Sequence, residues 1–277
     1  MFLSPSEIAD FTVSVGVRKA NMSVINQFIL GILAGAFIAF GAQASNIAAH
    51  TIPDISTAKL IGGLIFPTGL ILVLMAGAEL FTGNSLMIMA LAEKQISPLQ
   101  LLRSWIVVYL GNLAGSILVA FLISWSGQLN YTAGLLGGFT LKAAAGKVSL
   151  TFTQAFVLGI LCNWLVCLAV WTFFGAKDGI SKAVCVFFPI WLFVASGFEH
   201  SIANMYYIPA GILAKSCPSY LTKALELGVS QSAIDSLNWC SMFTKNLLPV
   251  TLGNILGGAG FVGCVYWFVY RRGSKKS

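Results

Sequence analysis

Two glutamates set inside long apolar runs are the residues of this 277-residue chain best placed for chemistry. Glu79 is followed by Thr82, Gly83, Asn84 and Ser85, and Glu199 by His200, Ser201 and Asn204. In both places a Glu and an Asn stand five residues apart. A charge at the bilayer centre costs at least ~2.5 kcal/mol, so an intramembrane carboxylate marks either a functional site or a polar contact between helices. The small residues around both predict helices broken at mid-depth, which hold only where protein or a water-filled cavity satisfies the freed backbone. Glu79, Asn84, Glu199 and Asn204 are then the structural residues of the breaks. His200 adds a titratable ring, which in such a place is a proton relay, a ligand donor or a satisfied polar contact. His50, at the outer end of the first apolar run, reads as a surface residue.

Other candidates follow from side-chain type. Asn163 and Asn254, inside apolar runs, are neutral donors able to bind an anion without trapping it. Phe66, Leu70, Leu80, Phe81 and Phe193 are ordinary core or lipid-facing residues by default; beside a break they form constrictions that gate by excluding water. The Gly-rich stretch 126–149 carries Lys142 and Lys147. It reads either as an external loop with solvated lysines or as a segment that dips into the membrane, where a lysine draws anions towards a pore. Two histidines in different settings, with no Cys or carboxylate at ligand spacing, make no metal or haem site. There is no Gly-x-Ser-x-Gly elbow, phosphate-binding loop or His-Glu-x-x-His motif. The residues predict passage, not turnover: no enzyme and no cofactor.

The elements that position these residues are membrane helices. The chain is 57% hydrophobic and 9% charged, with mean hydropathy +0.86, against about 25% charged residues in a soluble domain. This is the composition of an all-α polytopic membrane protein in contact with lipid. Its net charge of +7 is read by position, not as a nucleic-acid footprint. A span needs about 20 apolar residues, and six such runs lie near 25–48, 60–91, 102–125, 152–175, 184–213 and 247–270. The whole of 1–277 is one membrane domain: an amphipathic N-terminal segment over 1–24, two repeats near 25–125 and 152–270, and a basic tail over 271–277. Residues 1–27 do not read as a secretory signal peptide. Within the first segment Ser4 or Ser6 caps a helix, Pro5 suits its first turn, and Ile8, Phe11 and Val15 recur at helical spacing on the membrane surface. Cys217 and Cys240 share one polar loop, where pairing is open.

With six spans, the side holding both termini carries ten Lys and Arg and the opposite side six, which places both termini in the cytoplasm. The halves also resemble each other. Gly31-Ile-Leu-Ala-Gly35 matches Gly159-Ile-Leu-Cys-Asn163, the Glu79–Asn84 stretch matches Glu199–Asn204, and Gly111-Asn112-Leu-Ala-Gly115 matches Gly253-Asn254-Ile-Leu-Gly257. Three spans is an odd number, so the second copy enters from the opposite side. The expectation is an inverted three-plus-three repeat with its site between the broken second and fifth spans.

Met75-Ala-Gly-Ala-Glu-Leu-Phe-Thr-Gly83, Gly159-Ile-Leu-Cys-Asn-Trp-Leu-Val-Cys-Leu-Ala169 and Gly197-Phe-Glu-His-Ser-Ile-Ala-Asn-Met205 together resemble the signatures of the formate/nitrite transporter family. The resemblance covers the whole chain. It implies an aquaporin-like six-helix protomer in a homopentamer in a bacterial inner membrane, each protomer a pore for small monovalent anions of weak acids. It further implies that His200 is the central pore histidine, that Thr82 lies on the loop interrupting the second span, and that Asn163 and Asn254 are pore asparagines. Lys147 corresponds to a vestibule lysine, and Phe66, Leu70, Leu80, Phe81 and Phe193 to two constrictions. Glu79 with Thr82-Gly83-Asn84 looks most similar to the hydrosulfide branch, with formate, nitrite and chloride as further anions. A formate or nitrite channel is the alternative within the family. An aquaporin-like neutral-solute channel is the alternative outside it, although paired Asn-Pro-Ala motifs are absent.

Overall fold

The chain folds as its capping residues and apolar lengths dictate. In the computed structural model, which describes residues 2–272, helix α1 (Pro5–Ala20) starts where Ser4 and Glu7 close a reciprocal capping box with Pro5 in the first turn. The Ser4 amide and hydroxyl hold the Glu7 carboxyl below its ordinary range. Ser23 caps α2 (Val24–Ala49) and Asp54 caps α3 (Ile55–Ala76). A break follows, then the short α4 (Gly83–Ala92). Beyond it lie α5 (Pro98–Trp125), α6 (Leu135–Val148) and α7 (Phe152–Gly175). Helix α8 (Gly179–Ala195) ends at a second break, after which come α9 (Ser201–Ala214), α10 (Pro218–Glu226), α11 (Gln231–Ser236) and α12 (Trp239–Tyr270).

Five of these helices, α2, α3, α5, α7 and α12, are long and apolar enough to cross a membrane. The fifth expected run, 184–213, is divided: α8 has 17 residues and α9 has 14. The stretch 126–149 is not a loop. Most of it is α6, buried against α9 and α10, because Gly137 and Gly138 leave room for Tyr220 and Lys223 of α10. Cys217 and Cys240 are both free. Residues 273–277 of the expected basic tail, with Lys275 and Lys276, lie outside the described residues.

Small residues bring the long helices close. Gly31, Gly35, Gly111 and Gly115 seat α2 on α5, and Gly159, Gly253 and Gly257 seat α7 on α12. A Cβ at Gly115 would overlap the Ile32 carbonyl, and one at Gly257 the Ile160 carbonyl. Such contact lets apolar helices pack where lipid tails are as apolar as leucine. Helix α3 packs on α8, and α12 is wound in π-helical turns over Leu256–Cys264, beside α4. Helix α1 lies against α4 and α7, and Arg271, past the end of α12, pairs with Asp10 and with Glu93. Both ends of the described chain therefore meet on one side of the bundle.

Candidate functional site

The site is built from the two breaks. Helix α3 stops at Gly77, whose φ of 85° suits a residue without a Cβ, and α8 stops before Gly197 at φ 72°. Each left-handed residue turns the chain so that the next amide bonds back to its helix, Ala78 to Val73 O and Phe198 to Phe193 O. The glutamate amides then bond to a neighbouring helix, Glu79 to Leu30 O of α2 and Glu199 to Leu158 O of α7.

An asparagine from a third helix clamps each break. Asn112 of α5 accepts from the Phe81 amide at 2.9 Å and donates to Gly31 O and Glu79 O at 2.8 and 2.9 Å. Asn254 of α12 accepts from the Ser201 amide at 2.9 Å and donates to Gly159 O and Glu199 O at 2.8 and 2.9 Å. Both asparagines are completely buried. Asn163 joins the two clamps, donating to Thr82 O, Ser85 Oγ and Asn254 O. The amide hydrogens of Asn163 and Asn254 are thus committed to protein oxygens.

The carboxylates, each 6% exposed, are paired with lysines. Glu79 takes Lys19 of α1 at 2.9 Å, and Asn84 bonds both partners. Glu199 takes Lys147 of α6 at 2.9 Å, with Asn204 and Asn246 donating to its other oxygen at 2.6 and 3.2 Å. A buried carboxylate is tolerated when a cation and hydrogen bonds together replace water. The Lys147 ammonium also sits 5.1 Å from the centre of the Tyr207 ring.

Between the breaks lies His200. Its Nδ1 accepts the Ala203 amide at 3.1 Å and caps α9. The neutral ring therefore carries its proton on Nε2, which lies 2.9 Å from Thr82 Oγ1. That bond uses the Thr82 oxygen as acceptor and leaves its hydroxyl proton unspent on His200. Two cavities approach this pair from opposite ends. One, of about 490 Å³, is walled by Lys19, Glu79, Asn84, Leu70 and Leu80. The other, of about 730 Å³, is walled by Lys147, Glu199, Phe66, Phe193 and His200 itself. Thr82 is fully buried and lies on the wall of neither cavity. Leu70, Leu80, Phe66 and Phe193 are each 2–3% exposed. The Phe66 and Phe193 rings meet edge to face at 5.7 Å between centres, and Phe193 lies 5.9 Å from the His200 ring. Phe81 lines neither cavity and packs instead on Trp105 and Tyr109. His50 is half-buried, bonded to Thr132 Oγ1 at 2.9 Å, and belongs to the wall of the second cavity. Among the described residues no cluster of His, Cys, Asp and Glu is placed to hold a metal.

Sequence reasoning missed Lys19, Asn246 and Tyr207, and passed over Asn112 as a site residue although its Gly-Asn motif was in view. The repeat itself held the missing signal: Asn112 stands where Asn254 stands in the other copy, and each Glu-x4-Asn stretch needs a cation.

The chain as a whole is similar to known proteins. The family model described as formate/nitrite transporter matches residues 6–268. The formate channel FocA of Haemophilus influenzae is 41% identical over 94% of this chain and 92% of its own length. That of Escherichia coli strain K12 is 40% identical over 98% and 95%. A solved structure described as a pentameric formate channel with formate bound is 38% identical, covers 89% of this chain and 97% of its own, and superposes with a TM-score of 0.79.

Proposed function

Because the chain belongs to the formate/nitrite transporter family, we propose that it is a passive channel for small monovalent anions of weak acids, with formate first among them. The observation that carries this reading is one polar pair, His200 and Thr82, between two lysine-bearing cavities: His200 is on the wall of one, and Leu80 and Gly83, close to Thr82 in the chain, are on the wall of the other. A bare anion crosses hydrocarbon at high cost. Two short apolar constrictions with hydrogen-bond donors between them divide that cost, and hydrated cations find no acceptor set to replace their water. His200 acts here as a fixed donor to Thr82, which in turn offers its hydroxyl proton to the anion. Donating a proton outright calls for a second ring proton on Nδ1, the atom that caps α9, so the neutral relay is the reading we adopt.

The rest of the architecture follows as part of the proposal. Helices α2, α3 with α4, α5, α7, α8 with α9, and α12 are six spans in two inverted halves. The excess of Lys and Arg on the terminal side places both termini in the cytoplasm of a bacterial inner membrane. Five copies assemble, since the description of the superposed structure calls that protein pentameric, and each copy carries its own pore. Hydrosulfide rests on Glu79, Thr82 and Asn84. Two of these three bond each other and Lys19, so they hold the break and discriminate little between anions.

Flux into proteoliposomes tests the reading, with formate, nitrite, chloride, hydrosulfide and glycerol offered in parallel. Formate should enter well above protein-free vesicles, and glycerol should not. Hydrosulfide entering alone would keep the family and change the cargo. Glycerol or water entering with no anion would overturn the anion reading in favour of a neutral-solute channel.

A further inference from the structure

We propose that Lys59 and Asn46 form an outer station for a small carboxylate in the second cavity, and that Lys59 supplies its attracting charge. The inference rests on the anion-channel reading above and names where the anion is first held.

The walls of this cavity carry Lys59, Lys142 and Lys147, with Glu199 as their one carboxylate among the described residues. Lys147 and Glu199 lie 2.9 Å apart, so from a distance the pair acts as a dipole and not as a charge. Lys142 donates to Leu227 O at 3.1 Å. Lys59 is different. Among the described residues its ammonium has no hydrogen bond and no ion pair.

Its position is suited to recruitment. Lys59 precedes Phe66 by seven residues on α3, hence on the same helix face and about 10 Å further out along the axis. Lys59 is an exposed residue at the mouth of the cavity, and its side chain turns back towards the fold. It lies over the second break, where a Cβ at Gly197 would collide with Nζ. An anion bound there stands outside the Phe66–Phe193 pair and near the chain that leads to His200.

Asn46 supplies an independent sign of a ligand. It is 4% exposed, lines the same cavity, and its Nδ2 has no hydrogen-bond partner. A buried donor left without an acceptor is costly, and a bound carboxylate provides one. Helices α2 and α3 are in close contact at this level, since a Cβ at Gly62 would lie 2.8 Å from Ser45 Oγ. Asn46 is next to Ser45 in the chain, and Lys59 is one turn from Gly62. A carboxylate that reached Lys59 with one oxygen and Asn46 with the other, the Asn46 amide turning into the cavity to meet it, would satisfy both donors.

The test is formate uptake by full-length protein in proteoliposomes, measured against formate concentration at low ionic strength. Lys59→Gln should raise the half-saturating concentration roughly threefold to tenfold, and Lys59→Glu further, because field focusing in a cleft is of that order or larger. Lys59→Arg should restore it, and impermeant salt should shrink the difference between variants. Asn46→Leu should raise the half-saturating concentration in the same direction without that salt dependence. Lys59→Gln with unchanged half-saturation, or a lowered saturating rate as its whole effect, would show that Lys59 props the break and would overturn the station. Failure of the unmodified protein to take up any formate would sink the formate reading on which the station rests, a result distinguishable from the first.

Discussion

The two breaks share one scaffold and differ in what they present to the space between them. Each ends a helix on a left-handed glycine, sends a glutamate amide to a neighbouring helix, and is held by one asparagine through three hydrogen bonds. Yet one puts Leu80 where the other puts His200. Leu80 walls the first cavity as a plain apolar surface; His200 caps its own helix and reaches Thr82 of the opposite break. The lysines differ as well. Lys19 comes from the terminal helix α1, whereas Lys147 comes from α6 inside the bundle. The shared clamp holds polar backbone open inside an apolar bundle. The chemistry of passage enters through a single asymmetric position.

His200→Leu removes that asymmetry and should have the largest effect. Formate flux should fall roughly tenfold to hundredfold, because without the His200 donor the Thr82 hydroxyl is no longer turned to the anion, a charge-assisted hydrogen bond of about 1.5–3 kcal/mol. Flux at the unmodified level would mean that the difference between the breaks is incidental. Lys19→Met and Lys147→Met compare the ion pairs. Stranding a buried carboxylate costs about 3–5 kcal/mol. Glu79 keeps Asn84 alone, whereas Glu199 keeps Asn204 and Asn246, so Lys19→Met should lower the thermal midpoint further. Adding Glu79→Gln to Lys19→Met should recover much of that loss. The opposite ranking of the two lysines would show that α1 is only loosely tied to its break.

Asn112→Leu and Asn254→Leu test what the breaks have in common. Each should cost about 2–4 kcal/mol, since buried backbone groups lose their partners, and the two should agree within about 1 kcal/mol if the clamps are equivalent. Gly115→Ala and Gly257→Ala should cost least, about 1–3 kcal/mol each, through the carbonyls that their methyl groups would meet. Chemical denaturation in detergent reads both pairs.

Much of this was legible in the chain. The Glu-x4-Asn spacing and the Gly-Asn motifs located both breaks, because each motif is local and repeated. Phe66, Leu70, Leu80 and Phe193 lie on the cavity walls and Phe81 does not; that four of the five share this setting follows from their closeness to the breaks. Helix α6 was unreadable as a helix, since its glycines and even apolarity resemble a mobile loop until α9 and α10 cover it. Asn163 and Asn254 looked like free donors because nothing in a sequence tells which carbonyl an amide will face.

By itself the sequence determined the membrane class, the capped helix starts, the lengths of the apolar runs and the two places where a helix must stop. These depend on backbone preferences and hydrophobicity over a few neighbouring residues. Tertiary structure decided which cation neutralises which carboxylate, which side chains face a cavity and which nitrogen of His200 holds its proton. Lys19 and Glu79 are 60 residues apart, and Lys147 and Glu199 are 52 apart. A buried charge accepts whichever partner the packing of distant helices delivers, and that choice has no local signature.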